Sequence, residues 1–157
     1  MEIKVYPHPC LKTPASPVET VDENIRNIVQ EMIPVMRELD GIGLAAPQVG
    51  LSLSLFIVEI PNKGIVAAIN PEIVFSNEQL KVMEEGCLSI PGHYLPLIRP
   101  SKVKIQAVDL EGQKFEITGE DLIARAFLHE IDHLRGKLII DHLSPEQRIE
   151  FERNLTL

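Results

Sequence analysis

The chain has 157 residues, 45% of them apolar but only 4% aromatic, with 15 basic against 23 acidic side chains and a formal net charge of −8. That length fits one domain, residues 1–157, around a core of Ile, Leu and Val, and the apolar content argues against disorder. The acidic balance, with basic residues scattered, removes the electrostatic basis for direct nucleic-acid or anionic-lipid binding, and no stretch approaches the ~20 apolar residues of a membrane span.

The N-terminal MEIKVYPHPC has no basic region followed by an apolar stretch, so no secretory leader is expected. Two cysteines, Cys10 and Cys87, are too few for a disulfide framework. The expected setting is therefore a reducing compartment, the cytoplasm. Residues 6–17 carry four prolines and predict an extended segment lying over a surface, with Cys10 in a structural role.

Asp22 is placed to cap a first helix, in which Ile25, Ile28, Val29, Met32, Ile33, Met36 and Leu39 make one apolar stripe and which Gly41 ends. Pro34 lies inside that stripe, where it should kink the helix or remove one hydrogen bond. The segments 53–60, 64–75 and 79–88 are short, rich in Ile, Val and Leu, and bounded by Pro, Gly, Asn or Ser, so they read as strands. Residues 102–118 read as a hairpin turning at Glu111-Gly112. Thr118-x-x-Asp121 resembles a capping box for a second helix, in which Leu122, Ile123, Ala126, Phe127, Ile131 and Leu134 recur at helical spacing before Arg135-Gly136. A short third helix runs from Ser144-Pro145 to about Asn154. Strands followed by a helix, without strict alternation, give an α+β fold.

Three segments carry chemistry. Residues 129–133 read His-Glu-Ile-Asp-His on the second helix. At about 3.6 residues per turn, His129 and His133 share a face and can bind one metal ion, with Glu130 in reach of a metal-bound water as general base. Two exposed histidines beside a solvated glutamate would look the same. A catalytic site needs a third ligand, and Cys87, in Glu-Glu-Gly-Cys-Leu-Ser, stands out, although a lone cysteine is often a buried small hydrophobe. Residues 41–50 read Gly-Ile-Gly-Leu-Ala-Ala-Pro-Gln-Val-Gly. They lack the Lys-Ser/Thr of a phosphate loop, so alone they predict a helix stop, a turn and a polar Gln48.

Taken in this order, the three segments resemble the signature motifs of the peptide deformylase family. Gly41 to Gln48 matches Gly-φ-Gly-φ-Ala-Ala-x-Gln, Glu85 to Ser89 matches Glu-Gly-Cys-φ-Ser, and His129 to His133 matches His-Glu-φ-x-His. The resemblance implies antiparallel or mixed sheets packed around a central helix that bears the His-Glu-x-x-His motif. It implies removal of the formyl group from the N-terminal formyl-methionine of nascent peptides, with transient proximity to the ribosome. It makes Cys87, His129 and His133 the metal ligands, Glu130 the general base and acid, and Gln48 with the Leu88 N–H the donors to the reacting carbonyl oxygen. The implied cofactor is one divalent ion, Fe²⁺ in the cell, with Zn²⁺, Ni²⁺ or Co²⁺ able to take its place. Ile42, Gly43, Gly86, Leu88 and Phe127 are the candidate substrate-binding residues, and closeness around Gly43 would favour formyl over acetyl. Asp132 is expected to face away from the metal and to pair with Arg99. Where some members carry Arg after the second motif, this chain has Gly92-His93-Tyr94, so its grip on the peptide backbone is expected to differ.

Two other readings fit parts of the sequence. An endopeptidase with the same helix would leave Glu-Gly-Cys-Leu-Ser unexplained, because such enzymes take a third His or Glu. A non-catalytic metal-binding relative would be expected to lack a catalytic position, and none is missing.

Overall fold

A computed structural model of the chain describes residues 1–155. The first helix, α1 (Glu23–Glu38), starts where Asp22 accepts a hydrogen bond from the Ile25 N–H at 3.0 Å. Ile25, Val29, Met32 and Met36 are its buried stripe. The helix runs on through Pro34, which faces solvent, so the carbonyl that loses its N–H partner there can be met by water.

Strands β1 (Gly43–Ala45), β2 (Leu55–Ile60), β3 (Gly64–Ser76), β6 (Lys102–Val108) and β7 (Lys114–Glu120) form one antiparallel sheet in the order β1-β2-β3-β6-β7. Strand β2 is buried on both faces, so its apolar residues run without alternation. Its Phe56 and Val58 pack with Val103, Ile105, Phe127 and Ile131 beneath α2 (Leu122–Leu134), while Leu55 and Ile57 pack with Val29, Met32 and Met36 of α1. The helix that carries both histidines therefore lies on one sheet face and α1 on the other.

Strands β4 (Leu80–Cys87) and β5 (Ile90–Pro100) form a separate two-stranded ribbon. Strand β5 is absent from the sequence reading, because Pro91, Pro96 and Pro100 speak against a strand. A two-stranded ribbon tolerates them, since among the described residues no further strand pairs with β5. The ribbon rests on Leu11, Leu138, Ile139, Ile140 and Phe151, which bury Cys87, Ile90 and Leu97. This floor comes from the N-terminal segment, the 3-10 turn Ile139–His142 and the third helix, α3 (Pro145–Asn154), whose N-terminal box is closed by Ser144 and Gln147.

Two local expectations are corrected. Thr118 does not cap α2, because β7 continues to Glu120; Asp121 stands before the helix at a φ of 52° and makes no side-chain cap. The proline-rich N-terminal segment is extended only in part. It turns through a 3-10 helix at Pro9–Lys12, which buries Leu11. Gly136, after α2, has a φ of 75°, and a Cβ there would lie 2.6 Å from the Lys12 carbonyl oxygen, so both torsion and space call for glycine.

Candidate metal centre and active site

α2 presents His129 and His133 one turn apart on its face toward the ribbon, and the end of β4 presents Cys87. The Nε2 atoms of the histidines are 3.2 Å apart, and His133 Nε2 is 3.3 Å from Cys87 Sγ. All three ligand atoms lie within 4.8 Å of one another. A tetrahedral ion bound at about 2.0 Å by nitrogen and about 2.3 Å by sulfur spaces its donors about 3.3 to 3.6 Å apart, so the cluster has the size of a coordination triangle.

The proton positions agree with that use. His129 Nδ1 is 3.0 Å from Glu85 Oε1, and a carboxylate there can only accept. Nδ1 therefore donates to Glu85, which leaves Nε2, once it gives up any proton of its own, to face the cluster, the usual carboxylate–histidine support of a metal ligand. Burial works against a charged His129, but Glu130, Cys87 and Glu85 draw its pKa well above the ordinary value. Burial and the neighbouring His129 hold His133 well below it.

Glu85 is the hub of a buried ionic network. It takes two hydrogen bonds from Arg99, at 2.5 and 2.9 Å, and one from Arg125 at 2.6 Å. Burial alone would raise its pKa, but His129 and Arg99 hold it well below the usual carboxylate range. Arg99 also donates to Asp132 at 3.1 Å, and His142 lies 2.8 Å from the same Asp132 oxygen. The expected Arg99–Asp132 pair is therefore present, but the main partner of Arg99 is Glu85. Neither Glu85 nor Arg125 has a role in the sequence reading. The available signal is positional: Glu85 is two residues before Cys87, and Arg125 is one helical turn before His129.

Glu130 is 4% exposed, and its Oε1 has no hydrogen-bond partner among the described residues. Burial pushes its pKa up to about 7; His129 and Arg99 oppose the rise, while Glu85 and Asp132 add to it. A Cβ on Gly43 would stand 2.7 Å from Glu130 Oε2 and 3.1 Å from its carboxyl carbon, so only glycine lets β1 pass this close. Gln48 is 1% exposed and lies in the 3-10 turn Ala46–Val49 after β1. Its Oε1 accepts from the Ala45 N–H at 2.9 Å, which turns Nε2 toward Ser89 Oγ at 3.2 Å and Cys87 Sγ at 3.8 Å. Residues 41–50 are thus a short strand and a 3-10 turn, where the sequence read only a stop and a turn.

A cleft of about 580 Å³ opens over Cys87, His129 and Glu130. Ile42, Gly43, Gln48, Gly86 and Leu88 line it. Phe127 does not; it is fully buried, its ring centroid 6.2 Å from that of Phe56, and it belongs to the core beneath α2. Ala126 and Leu122 take the place on the cleft wall that the sequence reading gave to Phe127. Tyr94 forms part of the rim, and its ring covers Gly86, where a Cβ would come within 2.6 Å of it.

The polypeptide deformylase family model matches residues 1–149. The peptide deformylase of Thermotoga maritima is 42% identical over 153 residues, spanning 98% of this chain and 93% of its own. A crystal structure of a peptide deformylase from Legionella pneumophila superposes with a TM-score of 0.91 at 45% identity, covering 97% of this chain and 90% of that one. A peptide deformylase from Synechococcus elongatus, solved in complex with actinonin, gives a TM-score of 0.90 at 34% identity, covering 96% and 82%. With the site geometry, these matches lead to one conclusion: the chain belongs to the polypeptide deformylase family.

Proposed function

We propose that Cys87, His129 and His133 hold one divalent cation and that the cleft above it hydrolyses the formyl amide of N-formyl-methionyl peptides, the reaction of the family. The observation that carries this reading is the buried Glu130 carboxylate, its Oε1 without a partner among the described residues, in the same cleft as Cys87 and His129. The cation, when bound, would supply Lewis acidity toward water and the formyl oxygen. Glu130, with a pKa near neutral, takes the proton of the attacking water as its oxygen bonds to the formyl carbon. Gln48 Nε2 and the Leu88 N–H donate to the oxygen on which negative charge develops. Glu130 then passes the proton to the departing nitrogen as the C–N bond breaks, leaving formate and a free N-terminus.

The methionine side chain fits against Ile42, Leu88 and the α2 wall, while Gly43 against Glu130 leaves little space for a larger acyl group. A Cys-His-His set intrinsically binds Zn²⁺ more tightly than Fe²⁺, so supply decides the occupant. We place Fe²⁺ there in the cell, with Zn²⁺, Ni²⁺ or Co²⁺ able to replace it. The substrate places the protein in the cytosol, within transient reach of the ribosome, and no helix of the described residues is long and apolar enough to cross a membrane.

The test is formate release by protein loaded with Fe²⁺ without air. A formyl-methionyl peptide should be turned over, its acetyl analogue should be left intact, and internal peptide bonds should not be cut. Exposure to air should end activity, because an iron-bound thiolate oxidises. Cleavage of internal bonds would turn the assignment toward an endopeptidase.

A further inference from the structure

The cysteine stands on the β4–β5 ribbon and the histidines stand on α2. The β4–β5 ribbon leaves the five-stranded sheet where β3 and β6 end, with the Asn77 N–H donating to the Lys102 carbonyl and the Ser101 N–H to the Gln79 carbonyl at its base, and its outer face is open, with Leu80, Val82, Tyr94 and Ile98 each more than half exposed. Its apolar floor touches one side, and its link to α2 is ionic. Within that link, Arg125 differs from its neighbours. It is 5% exposed, and its guanidinium donates to Glu85 Oε2 at 2.6 Å, to the Leu97 carbonyl on β5 at 3.0 Å and to the Lys81 carbonyl on β4 at 2.9 Å. One side chain of α2 therefore grips both strands of the ribbon, together with the carboxylate that orients His129.

Charge neutralisation does not require it. Arg99 already makes two hydrogen bonds to Glu85 from within the ribbon. What Arg125 adds is direction, because a planar fork of donors fixes three acceptors on two strands at once, which the point charge of a lysine does not. We propose that Arg125 is a positioning residue of the metal centre. It sets how the ribbon seats on α2, and so where Cys87 Sγ stands relative to the Nε2 atoms of His129 and His133. This rests on the reading of those three residues as cation ligands.

Co²⁺-loaded protein tests it, with the sulfur-to-cobalt charge-transfer band reporting the Cys87 bond and the rate of Co²⁺ loss to excess chelator reporting the closure of the site. Arg125→Met should weaken or shift the band and speed metal loss by about tenfold or more, the range seen when outer partners of a metal site are removed. Arg125→Lys should fall between this variant and the parent. Met32→Ala, in the α1 core away from the ribbon, lowers thermal stability by another route and should leave band and rate unchanged. If Arg125→Met does not fold without metal, Arg125→Lys carries the test alone. A native band and a loss rate within about twofold of the parent, in whichever of the two folds, would overturn the proposal whatever happens to thermal stability. A parent protein with no sulfur band, or a band that survives Cys87→Ser, would instead overturn the ligand reading.

Discussion

α2 and the β4–β5 ribbon meet at the same cleft, yet they are held in place by different forces. Behind α2, Phe127 and Ile131 are packed into Phe56, Val58, Val103 and Ile105, so the histidines stand on a wall fixed by apolar burial. The ribbon has an open outer face and is fastened to α2 through Glu85, Arg99, Arg125 and Asp132. The difference teaches that the cluster of Cys87, His129 and His133 joins a wall packed into the sheet to a ribbon held by apolar contacts on its floor side and by buried ionic hydrogen bonds on its α2 side. Apolar packing is non-directional, whereas a buried guanidinium–carboxylate pair fixes angles as well as distance. The side of the ribbon that faces the histidines is the one held by directional contacts.

The largest expected effect lies on the packed wall. Glu130→Gln keeps the shape of the side chain on the packed helix but removes its ability to carry a proton. Formate release should drop by about 10³-fold, the usual share of a general acid–base group, with metal content near one ion per chain. Metal analysis and the formate assay on one sample measure both quantities. Unchanged turnover would remove Glu130 from the mechanism.

Second in size is the packing behind that wall. Phe127 is fully buried against Phe56, and Ile123 and Phe127 both press on Gly119. Phe127→Ala should cost about 3–5 kcal/mol of stability in urea denaturation of the metal-free protein. The Cys87–cobalt band of the folded fraction should stay native, because the ribbon's ionic seat is untouched. A cost below about 1 kcal/mol would mean that α2 is not held mainly by packing.

The same contrast explains what was legible in the sequence. The faces of α2 follow from helical spacing. Arg125, Ala126 and Leu122 recur on the His129 face, while Phe127, two residues before His129, turns to the opposite side and into the core. Helical spacing alone therefore puts Phe127 in the core rather than in the substrate pocket. Strands β2, β3, β4, β6 and β7 were legible because their apolar runs are bounded by turn residues. Strand β5 was not, because its prolines are permitted by a property of the sheet, the absence of a further partner, that no local pattern reveals. The ionic seat was hidden for a similar reason. Only the Arg99–Asp132 pair was expected; Glu85 and Arg125 are 40 residues apart and look like solvated charges until the fold brings them together. Cys87 gained its place from the motif around it rather than from its own residue type.

The smallest expected effect concerns the ribbon's floor and its response to acid. The 3-10 turn that supplies Ile139 and Ile140 is tied down by Asp141, which accepts from the Leu138 N–H at 2.8 Å, from Arg148 at 2.7 Å and from Lys12 at 3.2 Å. Burial alone would raise its pKa, but the Leu138 N–H, Arg148 and Lys12 together hold it below its ordinary 3.8. A carboxylate depressed in the folded state stabilises fully above its unfolded pKa, and that contribution is lost as pH falls through the folded value. Asp141→Asn should therefore cost stability at about pH 6, by about 1 kcal/mol or less because the group is partly exposed and screened, and the gap to the parent should narrow toward about pH 3. Urea denaturation at the two pH values measures it. Phe127→Ala serves as the contrast, since no charge is involved and its cost should be the same at both. If the Asp141 gap stayed constant between the two pH values, or the Phe127 gap narrowed with it, the charge of Asp141 would not be what ties down the turn.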